Sequence, residues 1–227
     1  IQIFYEDAFN EVAGEVYPKA LEENNVEAVS KPEIDIVQIE AGKAGYNADK
    51  VLAIAQTLYE KKYLSYPRTS CEFLASTLDF NKLLKSCECF DDLKPFIAKI
   101  TKADIDRIKK DKKYVDDAKL KESGHYALSP TTKIPDLSVL NKDETFILNL
   151  VFKQFMAIFL PPLVQEKTVI ITNNNGSLFK SNGKILKDKG FTELLTVTST
   201  DNDLPNVKKG EIVDVKGFEE IEKTTTC

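Results

Sequence analysis

Apolar residues first recur at three- and four-residue spacing through Phe4, Ala8, Phe9, Val12, Ala13 and Val16, which puts them on one face and predicts a helix. Pro18 predicts a second short helix, because proline fits an opening turn and breaks an interior; Asn24-Asn25 is the expected stop. Residues 26–29 and the alternating run Ile34-Asp35-Ile36-Val37-Gln38-Ile39 read as strand. The two glycines within 41–45 read as a joint. Beyond it, Asn47 caps a predicted helix whose inner side carries Val51, Leu52, Ile54, Ala55, Leu58 and Tyr59. Leu64-Ser65-Tyr66-Pro67 leaves that helix extended. Residues 79–121 read as helical and very polar, and Asn141 with Glu144 forms a capping box for a helix over 142–159. After Pro161-Pro162 the pattern changes to strands at 168–172, 177–180, 196–198 and 211–215, joined by Asn, Gly and Asp turns.

These elements predict a mixed α and β fold: a helical region, then an antiparallel strand-rich segment, with a small α+β appendage in front. The expected division is 1–43, 44–160 and 161–227. Charge sharpens the first boundary. Residues 1–43 hold three lysines against ten acidic residues, −7, whereas residues 44–227 hold 28 basic and 26 acidic residues, +2. The overall charge of −5 therefore argues against a nucleic-acid partner only if both parts are one unit. The mixed-sign lysines and aspartates between Lys99 and Lys121 read as a solvated face.

Several classes are set aside. The longest apolar stretch, 152–163, is interrupted by Lys153 and Gln154 and closed by two prolines, too short to span a bilayer. No leader pattern is visible, so no membrane partner and a cytoplasmic location are expected. Cys71, Cys87, Cys89 and Cys227 form no disulfide framework, and Cys87-Glu88-Cys89 lacks the further ligands a zinc site needs.

The candidate chemistry sits at Leu64-Ser65-Tyr66-Pro67-Arg68-Thr69-Ser70. Proline holds its predecessor extended, and residues two apart in an extended chain point the same way, which predicts Arg68 beside the Tyr66 hydroxyl. A phenol, titrating near about 10 in water, needs positive charge nearby to attack at neutral pH. A guanidinium supplies that charge, and its fork matches phosphodiester oxygens. Only Arg68 and Arg107 are arginines, so one of two stands here. The bland alternative is a packing tyrosine beside a surface arginine.

The wider segment decides between them. Ala55-Gln56-Thr57-Leu58-Tyr59-Glu60-Lys61-Lys62-Tyr63-Leu64-Ser65-Tyr66-Pro67-Arg68-Thr69 resembles type IA DNA topoisomerases of the topoisomerase III kind, in which such a helix runs into the catalytic Tyr-Pro-Arg-Thr. Gly124-His125-Tyr126-Ala127-Leu128-Ser129-Pro130-Thr131 is similar to a second family segment, and His125 is the only histidine. Residues 140–159 and 204–211 are softer matches. The resemblance implies that Tyr66 forms a transient 5′-phosphotyrosyl bond with single-stranded DNA. It also implies that Arg68 steadies the scissile phosphate and that His125 organises the phosphate or the surroundings of the tyrosine. Ser70 and Tyr126 depart from the Asp and second His usual in the family.

The family further implies Mg²⁺ held by an acidic Toprim domain, whose ligands are not read in this chain. Asp104-Ile105-Asp106 has an Asp-x-Asp spacing but reads as solvated charge. The chain is accordingly expected to be a fragment, inactive alone and with the Toprim domain as its missing partner. A tyrosine recombinase or type IB enzyme is rejected, since Arg107 lacks the surrounding cations such sites use. Residues 1–43 resemble the ribosome-binding part of trigger factor, and an artificial join is expected near 41–45. Two other function classes thus stay open: a non-cleaving single-stranded-DNA-binding fragment, and a ribosome-associated chaperone-related module.

Overall fold

The structure is a computed structural model that describes residues 14–27, 34–174, 176–195 and 204–213. In chain order the elements are β1 (Gly14–Glu27), α1 (Ile34–Lys43), α2 (Ala48–Glu60), α3 (Phe80–Ser86), α4 (Lys94–Ile97), α5 (Lys102–Lys110), α6 (Asp117–Ser123), α7 (Lys142–Ala157), β2 (Leu163–Asn174), β3 (Ser177–Asp188) and β4 (Ile212–Val213). The chain is thus mixed α and β. Contacts divide it into two compact units, one of residues 27–163 with 189–197 and one of 1–26, 164–188 and 198–227. That division differs from the 1–43, 44–160 and 161–227 expected from composition.

The unit of 27–163 and 189–197 is built around α7. Asn141 and Glu144 cap each other's backbone amides at its start, as the capping-box spacing predicts. Ile147, Leu148, Val151, Phe152, Phe155 and Met156 are all buried, so the helix is apolar nearly all round and acts as a central post. Phe80, Phe155 and Phe159 meet edge-on, with centroids 5.3–6.3 Å apart. Helix α2 lies against α7, held by buried Val51, Ala55 and Leu58. At the far end of α7, Arg107 of α5 donates to the Phe159 carbonyl at 3.2 Å. Asp104, read as solvated charge, caps α5 by accepting from Thr101.

Two local readings are overturned. Residues 34–39, expected as strand, are the start of α1, which packs on α2 and α7. Val37 and Ala41, one helical turn apart, are buried, while Ile39 is 64% exposed. In a strand Val37 and Ile39 would share a face, so the helical phase alone fits this burial. Residues 18–25, expected as a short helix, lie in β1. That strand sits within the sheet order β3-β2-β1-β4 and pairs antiparallel with β4 through Gly14/Val213 and Glu15/Ile212. Long-range pairing overrides the local proline signal. The predicted helix over 4–16 lies mostly outside the described residues, as does the predicted strand 196–198.

In the other unit, β2 and β3 form the antiparallel hairpin that the turn-rich pattern predicts. Its register runs from Val164/Asp188 to Asn174/Ser177, with an irregularity at Val164/Gln165. Among the described residues no helix is long and apolar enough to cross a membrane.

Candidate active site

The candidate tyrosine is placed by the end of α2. That helix stops without glycine: Lys61 is the C-cap and Lys62 follows in the left-handed region, φ 65°. The Lys62 amide donates to the Tyr59 carbonyl at 2.8 Å and the Tyr63 amide to the Leu58 carbonyl at 2.9 Å. This pair of bonds is a Schellman cap, and buried Tyr63 and Leu58 supply its apolar partners. Lys61 is also clamped, its ammonium 2.6 Å from buried Glu144 at the start of α7.

The segment leaving the cap is extended and zips to 127–131. The Tyr63 carbonyl accepts the Thr131 amide at 3.1 Å, and the Lys62 carbonyl accepts the Thr131 hydroxyl at 2.6 Å. Leu64 bridges antiparallel to Pro130. Ser65 is buried between the two segments, bonded to both Ala127 and Ser129. Upstream of that second segment, α6 ends at Gly124, whose φ of 73° turns the chain out of the helix just before His125. Thr69 adds a weak tie, its hydroxyl 3.5 Å from the His125 carbonyl.

The outcome is that half-buried Tyr66 lies against exposed His125, ring centroids 4.8 Å apart and tilted by 40°. Tyr59, from the last turn of α2, meets Tyr66 edge-on at 5.4 Å. Together with Lys62, Leu64, Ser65, Tyr126 and Thr131 they line a cleft of about 270 Å³. Burial pushes the Tyr126 phenol up, and a charge on Tyr59 would push it further, so Tyr126 stays neutral at neutral pH. Among the described residues that line the cleft there is no carboxylate.

Arg68 is the exception. It is exposed and is not among the residues lining the cleft, because the chain bends at Pro67-Arg68 instead of continuing extended. The extended run from which Arg68 was expected beside the Tyr66 hydroxyl is interrupted by that bend. Conversely, Tyr59 and Lys62 line the cleft without having been singled out in the sequence. A helix end with two lysines where glycine is usual was the available signal for Lys62.

Burial also explains the thiols. Cys87 is pushed well above the ordinary thiol range, and Cys89 to about 11, so both are protonated and inert at neutral pH. Among the described residues no group of three or more His, Cys, Asp or Glu is placed to hold a metal ion. No step below is routed through a metal.

A family model described as "DNA topoisomerase" matches residues 7–227. DNA topoisomerase 3 of Bacillus subtilis is 31% identical over 185 residues, 78% of this chain and 25% of the relative. The corresponding protein of Bacillus cereus is 32% identical over 186 residues, 77% of this chain and 25% of the relative. Full-length topoisomerase I from Thermotoga maritima superposes with a TM-score of 0.58 at 21% identity, over 89% of this chain and 32% of that one, a likeness of fold. The chain spans about a quarter of the length of the curated relatives it matches. The matched range begins at residue 7 and crosses 41–45, so the trigger factor reading of 1–43 and the expected join lose their support.

Proposed function

The chain belongs to the type IA DNA topoisomerase family, and from that premise we propose that its cleft cuts and rejoins single-stranded DNA with Tyr66 as the nucleophile. The Tyr66 phenol oxygen attacks a backbone phosphorus, forms a 5′-phosphotyrosyl bond and releases the 3′-hydroxyl of the neighbouring nucleotide. The same hydroxyl later attacks the phosphotyrosine, restores the phosphodiester and frees the phenol. One phosphate ester replaces another in each direction, so no nucleotide hydrolysis is needed.

The observation that carries this reading is the tilted contact of the Tyr66 and His125 rings in a cleft whose described lining holds three tyrosines, a lysine and a histidine and no carboxylate. Aromatic faces accept unstacked bases, and the Lys62 ammonium suits the phosphate chain. His125 is assigned to hold the phosphate or order the surroundings of Tyr66. Arg68 is assigned to a phosphate farther along the strand, outside the cleft as it stands. Mg²⁺ and the acidic Toprim domain belong, in this proposal, to the complete enzyme.

The test uses a single-stranded oligonucleotide labelled at its 3′ end, the part that stays with the protein after attack. The chain alone is expected to bind it in a salt-sensitive way with little covalent product. A full-length enzyme carrying this chain is expected to retain label under denaturing conditions, and Tyr66→Phe to abolish that retention. Covalent product that persists in Tyr66→Phe sinks the assignment. A second reading, a fragment that grips single-stranded DNA without cutting it, is favoured for the isolated chain by the lack of a metal-holding group among the described residues.

A further inference from the structure

Lys62 combines two features that the reaction above does not use. Among the described residues it is the one non-glycine with a positive φ, and it lines the cleft beside Tyr66. A left-handed backbone crowds the Cβ atom, which is why glycine dominates this place at helix ends. Every hydrogen bond that Lys62 itself contributes here is made by its backbone: its amide donates to the Tyr59 carbonyl and its carbonyl accepts the Thr131 hydroxyl. Glycine would satisfy all of them with less strain. What glycine lacks is an ammonium.

That ammonium differs from its neighbours. Lys61 is paired with Glu144, and Lys133 donates to the Lys61 carbonyl at 2.9 Å while lying over the Tyr63 ring. Lys62 forms no ion pair among the described residues, and the described residues that line the cleft with it include no carboxylate. A cation at a cleft lined by tyrosines suits a polyanion that carries flat bases.

We propose that Lys62 is a binding residue for the DNA strand, its ammonium contacting a backbone phosphate in the cleft, and that the strained cap is kept for this contact. The proposal rests on the DNA reading above. It is tested on the full chain by fluorescence anisotropy with a labelled oligothymidylate over a salt series, alongside thermal melting of Lys62→Gly and Lys62→Arg.

Lys62→Gly is expected to melt about 2–4 °C higher, since the left-handed strain is relieved. Its affinity is expected to fall about fivefold near 0.1 M salt, with a log–log salt slope shallower by about 0.7, the signature of one lost phosphate contact on a single strand. Lys62→Arg is expected to keep both affinity and slope. A Lys62→Gly variant with wild-type affinity and slope overturns the contact, as does Lys62→Arg losing as much as Lys62→Gly. A glycine variant that melts no higher overturns the strain. If the wild-type chain does not bind the oligonucleotide, the DNA reading falls and takes the contact with it; wild-type binding with an unaltered glycine variant removes the contact alone.

Discussion

Ser65 and Ser129 hold each other reciprocally: the Ser65 amide donates to the Ser129 carbonyl at 2.9 Å, and the Ser129 amide donates to the Ser65 hydroxyl at 2.8 Å. The Ser65 hydroxyl in turn donates to the Ala127 carbonyl at 3.1 Å, so this buried oxygen bonds twice to the histidine segment. With the neighbouring backbone bonds to 130–131, this junction holds the segments that carry Tyr66 and His125 side by side.

Removing that oxygen should therefore loosen the site. Ser65→Ala leaves the buried Ser129 amide without its acceptor, which is expected to cost about 1–3 kcal/mol. For a chain of this size each kcal/mol lowers the melting temperature by about 2–4 °C. Thermal melting checks the cost, and line broadening of the His125 ring signals in NMR checks the loosening. Unchanged melting would show that the junction is carried by its backbone bonds.

The ion pair under the cap has a pH signature. Burial raises the Glu144 carboxyl, but the hydrogen bond from Lys61, the Asn141 amide and the Lys61 charge outweigh it, and the folded value lies below the ordinary 4.5. A depressed carboxyl stabilises the fold above its unfolded value and loses that contribution as pH falls through the folded value. Stability is therefore expected to decline below about pH 4.5. Glu144→Gln, which still caps α7 but cannot pair with Lys61, is expected to cost about 1.5–3 kcal/mol at pH 7 and to flatten that decline. Urea midpoints measured across pH decide it.

Gly190 closes the far end of the post. Its φ is 47°, and a Cβ there would overlap the Pro161 and Pro162 carbonyls, while the next amide, Phe191, donates to Pro161 at 2.8 Å. Gly190→Ala is expected to cost about 3 kcal/mol or more, since backbone on both sides of the clash must move. A urea midpoint close to wild type would mean that the turn tolerates another path.

Arg68 separates stability from chemistry. It is exposed, so Arg68→Ala should change stability by no more than about 0.5 kcal/mol. If Arg68 serves the phosphate as proposed, the same variant, placed in a full-length enzyme, should retain much less oligonucleotide under denaturing conditions. Wild-type retention would remove Arg68 from the reaction.

What the chain reveals on reading alone is local. Helix α2 with its Asn47 cap, the capping box of α7 and the β2–β3 hairpin are written in residues close together, whose side chains and turns act on their own backbone. The tyrosine and histidine segments were legible by resemblance for the same reason: each is a short run. Tertiary structure decided everything that depends on what lies opposite. It made 34–39 a helix because α2 and α7 offered an apolar seat at the spacing of Val37 and Ala41, and it made 18–25 a strand by pairing it into a sheet. It set Tyr66 on His125 through Ser65, and it left Arg68 outside the cleft by a bend that no two-residue rule contains. Periodicity orders side chains along one element, whereas a site is made where elements meet.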